Sequence, residues 1–282
     1  MMPRKEAIVA ETGATKPKVD LYDGAYGNYE AEVYCQIREE TYGQDLGQTS
    51  WVTSEESAEI MKVLALTRHS NVLEIGCGSG RYALHIAGKT GCQVIGIDLN
   101  EPGIERAKKL AATQNLSERV SFEMCDASKP LRFVERTFDA VFSNDVLCHI
   151  PGREVVLQEI YRVLKPAGRM LFSDALIIGG VISQQEIASR SAIGYYLFSP
   201  PGENERLIEK AGFHLLNATD TTPNASQVAG RWREAREKRA AALIEMEGKQ
   251  DFEGLQLFLS SVETLNRERR LLRRVYLAQK NR

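Results

Sequence analysis

The sequence predicts an α/β protein with a doubly wound, largely parallel sheet, and three observations carry that expectation. From Val72 onward, short apolar runs of strand length alternate with stretches of helical periodicity, the order expected of βαβ units. The first run, Val72-Leu73-Glu74-Ile75, breaks at three alternating glycines, Gly76, Gly78 and Gly80, and Tyr82 to Ala87 returns to helical spacing. Acidic residues, Asp98 and Asp126, close the next two strand-like runs, at the edge where open α/β sheets bind ligands.

Glycine suits such a turn because its backbone angles are closed to other residues and because a ligand can then reach the main chain without meeting a Cβ. The amides that open the following helix favour an anionic ligand group. A dinucleotide fingerprint, G-x-G-x-x-G, needs glycine where Arg81 stands, so that reading fails. A turn that serves only close packing is the alternative.

The 282-residue length suits one α/β domain with sizeable additions. A net charge of −2 gives no general attraction to nucleic acid or to an anionic membrane, which favours a small-molecule substrate. No run of about 18 apolar residues exists, and Met1-Met2-Pro3-Arg4-Lys5 leads into a polar stretch without a signal-peptide core. A cytoplasmic monomer or homodimer is expected. The five cysteines are scattered and never in C-x-x-C spacing, so they are read as reduced and packed, with no metal site.

In chain order, residues 1–20 read as a mobile lead, with order from Leu21. Tyr29, Val33, Tyr34 and Ile37 predict an amphipathic helix between Tyr26 and Tyr42. A polar, glycine-bearing loop follows to Trp51, and Thr53-x-x-Glu56 reads as a capping box opening a helix to about Leu66. After the glycine turn, Cys92 to Asp98 is the second strand, and Asn100 with Pro102 starts a helix with Ile104, Ala107, Leu110 and Ala111 on its apolar face. Asp98 stands where an acid accepts hydrogen bonds from both ribose hydroxyls of a nucleoside, a helix cap being the alternative. Val120 to Met124 is the third strand, and Asp126 beyond it is read either as a ligand or as a turn cap. Phe138 to Ser143 is the fourth, Glu154 to Leu164 a helix stopped by Lys165-Pro166, and Arg169 to Asp174 the fifth strand.

Helices near Gln184 to Tyr196 and from Glu203 to Ala211 then precede a sixth strand, Phe213 to Asp220. A long charged helix runs to about Glu247, breaks at Gly248, and gives way to a helix from about Phe252 to Arg270 and a last strand, Arg274 to Ala278. The roughly fifty residues between the last two strands exceed an ordinary connection and read as a helical cap over the active site. The expected division is therefore a lead at 1–20, N-terminal helices and a lid loop at 21–66, a core at 67–222 and 271–282, and a cap at 223–270. Basic runs at Arg231 to Arg239 and Arg267 to Arg274, diluted by acids, read as solvated helix faces; the alternative is that one or two arginines bind a substrate anion.

The run Glu74-Ile75-Gly76-Cys77-Gly78-Ser79-Gly80 matches E-x-G-x-G-x-G and resembles the first motif of the class I S-adenosylmethionine-dependent methyltransferases. The phrase Leu164-Lys165-Pro166-Ala167-Gly168-Arg169-Met170 is similar to their L-K-P-G-G signature, and the N-P-P-Y of nucleic-acid amino methyltransferases is absent after the fourth strand. The resemblance implies a Rossmann-like seven-stranded sheet of order 3-2-1-4-5-7-6 with the last strand antiparallel. It implies S-adenosylmethionine as cofactor, held by Glu74, Gly76, Gly78, Gly80, Asp98 and Asn144, with Asp126 on the adenine amino group and Leu99 and Ala127 on the ring faces. It also implies that Gln48 and Trp51 lie over the methionine end.

The arrangement from Ser143-Asn144-Asp145 to His149 resembles the phosphoethanolamine and sarcosine/dimethylglycine types of N-methyltransferase, which implies an amine acceptor, with a hydroxyl as the alternative. It pairs His149, as a base titrating near 6.5, with a tyrosine of the first helix, Tyr29 or, failing that, Tyr34. A histidine capping the helix after Pro151 is the alternative. From a different class, a protein that holds the nucleoside cofactor without catalysis fits the same residues.

Overall fold

The computed structural model describes Val19, Leu21 and residues 28–47 and 49–281. Of the lead expected at 1–20 only Val19 is described, and it is buried with its N–H donating to Ala192 O, so order begins before Leu21; the rest of the lead and Gln48 lie outside the described residues. Seven strands form one sheet: β1 (Asn71–Ile75), β2 (Gln93–Asp98), β3 (Val120–Met124), β4 (Phe138–Ser143), β5 (Leu164–Ile178), β6 (Phe213–Asp220) and β7 (Leu271–Lys280). Their order is β3-β2-β1-β4-β5-β7-β6, and β7 runs antiparallel to both neighbours, as the resemblance implied.

The helices follow as α1 (Glu32–Tyr42), α2 (Ser54–Val63), α3 (Arg81–Thr90), α4 (Glu101–Thr113), α5 (Arg153–Val163), α6 (Gln184–Arg190), α7 (Glu203–Lys210), α8 (Thr222–Glu237), α9 (Ala240–Glu247) and α10 (Lys249–Arg267). One face of the sheet packs on α5 and α7 through Val156, Ile160, Leu207 and Phe213, and the other on α3 and α4 through Leu84, Ile86, Ile104 and Ala107. The capping box is present in full: Thr53 accepts from Glu56 N–H, and Glu56 accepts from Thr53 N–H.

Four expectations shift. The first described helix begins at Glu32, because Tyr29 lies in a turn whose carbonyl accepts from Arg38 Nη2 at 2.8 Å; Tyr26 lies outside the described residues. The helix expected to reach Tyr196 stops at Arg190, after which Leu197 N–H is drawn to Cys148 O. The long helix before Gly248 is two, broken at Lys238 and Arg239, which both reach across to Glu40 on α1. The basic runs are not solvated faces throughout: Arg236 is 2% exposed against Glu247 and Arg273 fully buried.

The segment before the core and the insertion before β7 share one apolar cluster, in which Tyr34, Ile37 and Trp51 meet Val228, Trp232, Phe258 and Val262. This layer closes over the end of β5 at Ala175. No described helix is long and apolar enough to cross a membrane.

Candidate active site

The turn after β1 carries Gly76, Gly78 and Gly80 with φ of +77°, +50° and +74°. A Cβ on Gly76 would stand 2.3 Å from Val146, and one on Gly80 2.5 Å from Ala107 and Phe122, so packing and conformation both require glycine. Gly80 is the N-cap of α3, whose first amides face the turn without a side-chain cap. Asp98, half-buried at the end of β2, accepts from Gly78 N–H at 2.8 Å and from Asn100 N–H at 2.9 Å. The acid thus braces the glycine turn while each carboxylate oxygen keeps a further lone pair.

Glu74 is 2% exposed, and its Oε2 has no hydrogen-bond partner. Burial, with the Asp98 charge adding, pushes its carboxyl well above the usual range. Asn144, just past β4, likewise buries an Oδ1 without a partner. Two orphaned oxygens and a Cβ-free cradle at one sheet edge fit a polar nucleoside ligand.

Further along that edge, Asp126 accepts from Ser128 N–H at 2.9 Å and so does cap a turn, while remaining half-buried. Leu99 is 65% exposed, open for a ring to cover, but Ala127 is packed in the core beside Ile97 and Leu131.

The lid loop touches the glycine turn directly. A Cβ on Gly47 would collide with the Tyr29 hydroxyl and with Ser79 Oγ, so the loop, the turn and Tyr29 are in close contact. Asp45 fixes this arrangement, pairing with Arg38 at 2.8 Å and Arg81 at 2.9 Å. Burial works against its charge, but hydrogen bonds from Arg38 and Gly47 and the Arg81 charge hold the carboxyl below its ordinary value.

Trp51 is held by its backbone against Asp145, just past β4. Its N–H donates to Asp145 Oδ2 at 2.9 Å, and its ring packs against Trp232 and Phe258 at 6.1 and 6.2 Å. It forms a wall of a cavity, shared with Thr49, Asp145, His149, Arg190 and Tyr196.

His149 ends a short 3-10 turn, Leu147–His149, and does not cap α5. Its ring packs against Tyr196 at a 45° tilt with centroids 4.3 Å apart, and Nδ1 lies 3.0 Å from the Tyr195 carbonyl. A carbonyl only accepts, so Nδ1 carries the proton and Nε2 is the acceptor nitrogen. Burial, helped by the Arg190 charge, pushes its pKa down to about 4, against the opposing Tyr195 carbonyl and Asp145. The ring is therefore neutral at neutral pH, not poised near 6.5.

Tyr29 and His149 are not brought together. Tyr29 sits at the glycine turn under three guanidinium groups, Arg38 at 4.0 Å from its ring centroid, Arg106 at 5.3 Å and Arg81 at 5.5 Å. Burial raises its hydroxyl pKa despite them. Tyr34 donates to Glu247 and is no substitute. Sequence reasoning also missed Arg190 and singled out no role for Arg273. The available signal for Arg190 was its isolation, as the lone basic residue between Arg169 and Arg206.

Comparison with known proteins agrees with this geometry. Residues 66–193 match the Methyltransferase domain family. Methyltransferase GfsG of Streptomyces halstedii is 31% identical over 170 residues, covering 58% of this chain and 60% of that protein. O-methyltransferase resE of Aspergillus sclerotiorum is 30% identical over 181 residues, covering 62% of this chain and 67% of that protein. A solved phosphoethanolamine N-methyltransferase 2 of Haemonchus contortus superposes with a TM-score of 0.77 at 22% identity, over 93% of this chain and 60% of that one. A glycine turn braced by a strand-end acid, on this strand order and with these relatives, leaves one assignment: the chain belongs to the class I S-adenosylmethionine-dependent methyltransferases.

Proposed function

We propose that the chain methylates a small molecule held in the cavity beside His149, and that the acceptor atom is an amine nitrogen. The observation that carries this is the adjacency of two sites at one sheet edge: the turn braced by Asp98, and the cavity behind Asn144 and Asp145. When bound, the cofactor supplies an electrophilic methyl group on a sulfonium.

The chain's own residues then have four tasks. Asp98 accepts from the ribose hydroxyls, Asp126 from the adenine amino group, and Leu99 covers the ring. Glu74 and the glycines shape the floor, and the orphaned Oδ1 of Asn144 accepts from the ammonium of the methionine moiety. The loop at Gly47, with Thr49 to Trp51, excludes water. His149, neutral with Nε2 as acceptor, orients the nucleophile or takes its proton.

A hydroxyl acceptor is the second reading, and one observation favours it. The cavity's carboxylate, Asp145, is already neutralised by Arg273 and bonded to the Trp51 backbone N–H, so no unpaired carboxylate among the described lining residues stands ready for an ammonium ion. An amine must therefore arrive neutral. The relative named O-methyltransferase resE points the same way.

The test is incubation of the full chain with methyl-labelled S-adenosylmethionine and a panel of amines, phenols and hydroxy acids, read by product mass. Label on nitrogen supports the first reading, and label confined to oxygen the second. Tight binding of S-adenosylhomocysteine with no transfer to any acceptor would make the chain a binding protein.

A further inference from the structure

We infer that Arg190 anchors an anionic group, a carboxylate or a phosphate, carried by the methyl acceptor; this rests on reading the cavity as the acceptor site. Arg190 closes α6 and is 1% exposed. Its guanidinium carbon lies 4.6 Å from the ring centroid of Tyr196, 5.1 Å from Phe258 and 5.9 Å from Trp51. Those rings stabilise a cation but cannot satisfy all of its in-plane donors, and Nε and Nη1 are buried with no hydrogen-bond partner.

The contrast with the other buried arginines is the telling point. Arg38 pairs with Asp45, Arg153 with Asp174, Arg236 with Glu247, and Arg273 with Asp145 and Glu56. Arg190 alone among the described buried arginines has no carboxylate. A buried guanidinium without a counter-ion is costly, and proteins retain one where something else supplies the charge.

Among the described residues, no carboxylate lining the cavity can do so. Asp145, which shares the cavity, is spent on Arg273 and Trp51, and Asp174 is held by Arg153 and Asn204. An oxyanion entering the cavity meets unpaired donors on a planar fork that matches carboxylate and phosphate geometry. The surrounding Trp51, Trp232, Ile193 and Phe258 side chains favour an apolar body behind that group. The acceptor class is therefore a small organic acid or phosphate ester with an apolar portion, its nucleophile directed past His149. A purely cationic amine is disfavoured, since Arg190 and the sulfonium would both repel it.

The competing account gives Arg190 only a structural role, as a cationic pin between aromatic walls. The test separates the two by comparing anionic probes with neutral ones, the first pair at constant shape. Calorimetry on the full chain saturated with S-adenosylhomocysteine compares phenylacetate with phenylacetamide, and phenyl phosphate with phenol.

The account expects at least one anion to bind about 10- to 100-fold tighter than its neutral counterpart, the range of a charge-assisted hydrogen bond. Whichever arm shows it distinguishes carboxylate from phosphate. Arg190→Gln should abolish that preference, and Arg190→Lys should keep part of it, both with unchanged affinity for S-adenosylhomocysteine. Equal binding of acid and neutral probe by the wild-type chain, including no binding of either, overturns the inference whether or not the variants fold. So does a preference that survives Arg190→Gln. Failure to bind S-adenosylhomocysteine at all would instead contradict the methyltransferase reading.

Discussion

Arg273 on β7 donates from Nε to Oδ1 of Asp145 at 2.9 Å, joining residues 128 positions apart. Asp145 holds φ at +58°, a conformation that costs free energy outside glycine, and its other oxygen accepts from Trp51 N–H. The same guanidinium donates to Glu56 at 2.7 Å, the residue that closes the capping box of α2. Burial alone would lower the pKa of Arg273, but Asp145 and Glu56 outweigh it and keep the group charged. One side chain thus ties the last strand, the turn after β4 and the lid together.

Arg273→Met should therefore destabilise the chain by about 3–5 kcal/mol, because it leaves buried carboxylate charge unpaired. Urea unfolding measures this directly. A loss under about 1 kcal/mol would mean that the ion pairs contribute little beyond packing.

The lid contact between Gly47 and Ser79 predicts that ligand binding orders the loop. Hydrogen exchange at Thr49 to Val52 and in the turn at Tyr29 should slow when S-adenosylhomocysteine is added. Arg81→Gln, which frees Asp45 on one side, should speed exchange there without ligand. Protection limited to Gly76 to Gly80 would remove the lid from the account.

His149 makes a pH prediction whose sign follows from its depressed pKa. The unfolded ring titrates near 6.5 and the folded one at about 4, so between those values the unfolded chain binds more protons. The stability this burial allows is present above pH 6.5 and is lost as pH falls towards 4. His149→Gln should flatten that part of the stability profile. In turnover, the wild type should show no inflection at 6.5 from this group, and His149→Ala should lower kcat by roughly 10²–10⁴-fold if it moves the proton. Near-normal turnover from His149→Ala between pH 6 and 9 would return the ring to packing.

The core was legible because its signals are local. Alternating strand and helix periodicity, the glycine turn and the capping box each lie within a dozen residues, and all take the expected form. What was not legible depends on distant partners. Tyr29 leaves the helix because Arg38 takes its carbonyl, and α8 ends where Lys238 and Arg239 find Glu40. Arg236 and Arg273 read as solvent-facing from their charged neighbours, yet Arg236 is buried against Glu247 on the next helix and Arg273 against Asp145, 128 positions away. Arg190 carries no pattern at all, and only the fold surrounds it with rings.

The central claim is that S-adenosylmethionine seats on the turn braced by Asp98, and calorimetry with S-adenosylhomocysteine tests it most directly. The wild-type chain should bind one equivalent and ignore a nicotinamide dinucleotide. Asp98→Ala, which loses the ribose contacts and the brace on Gly78, should weaken binding by about 1–3 kcal/mol. Affinity unchanged in Asp98→Ala, or no binding by the wild type, would contradict the account.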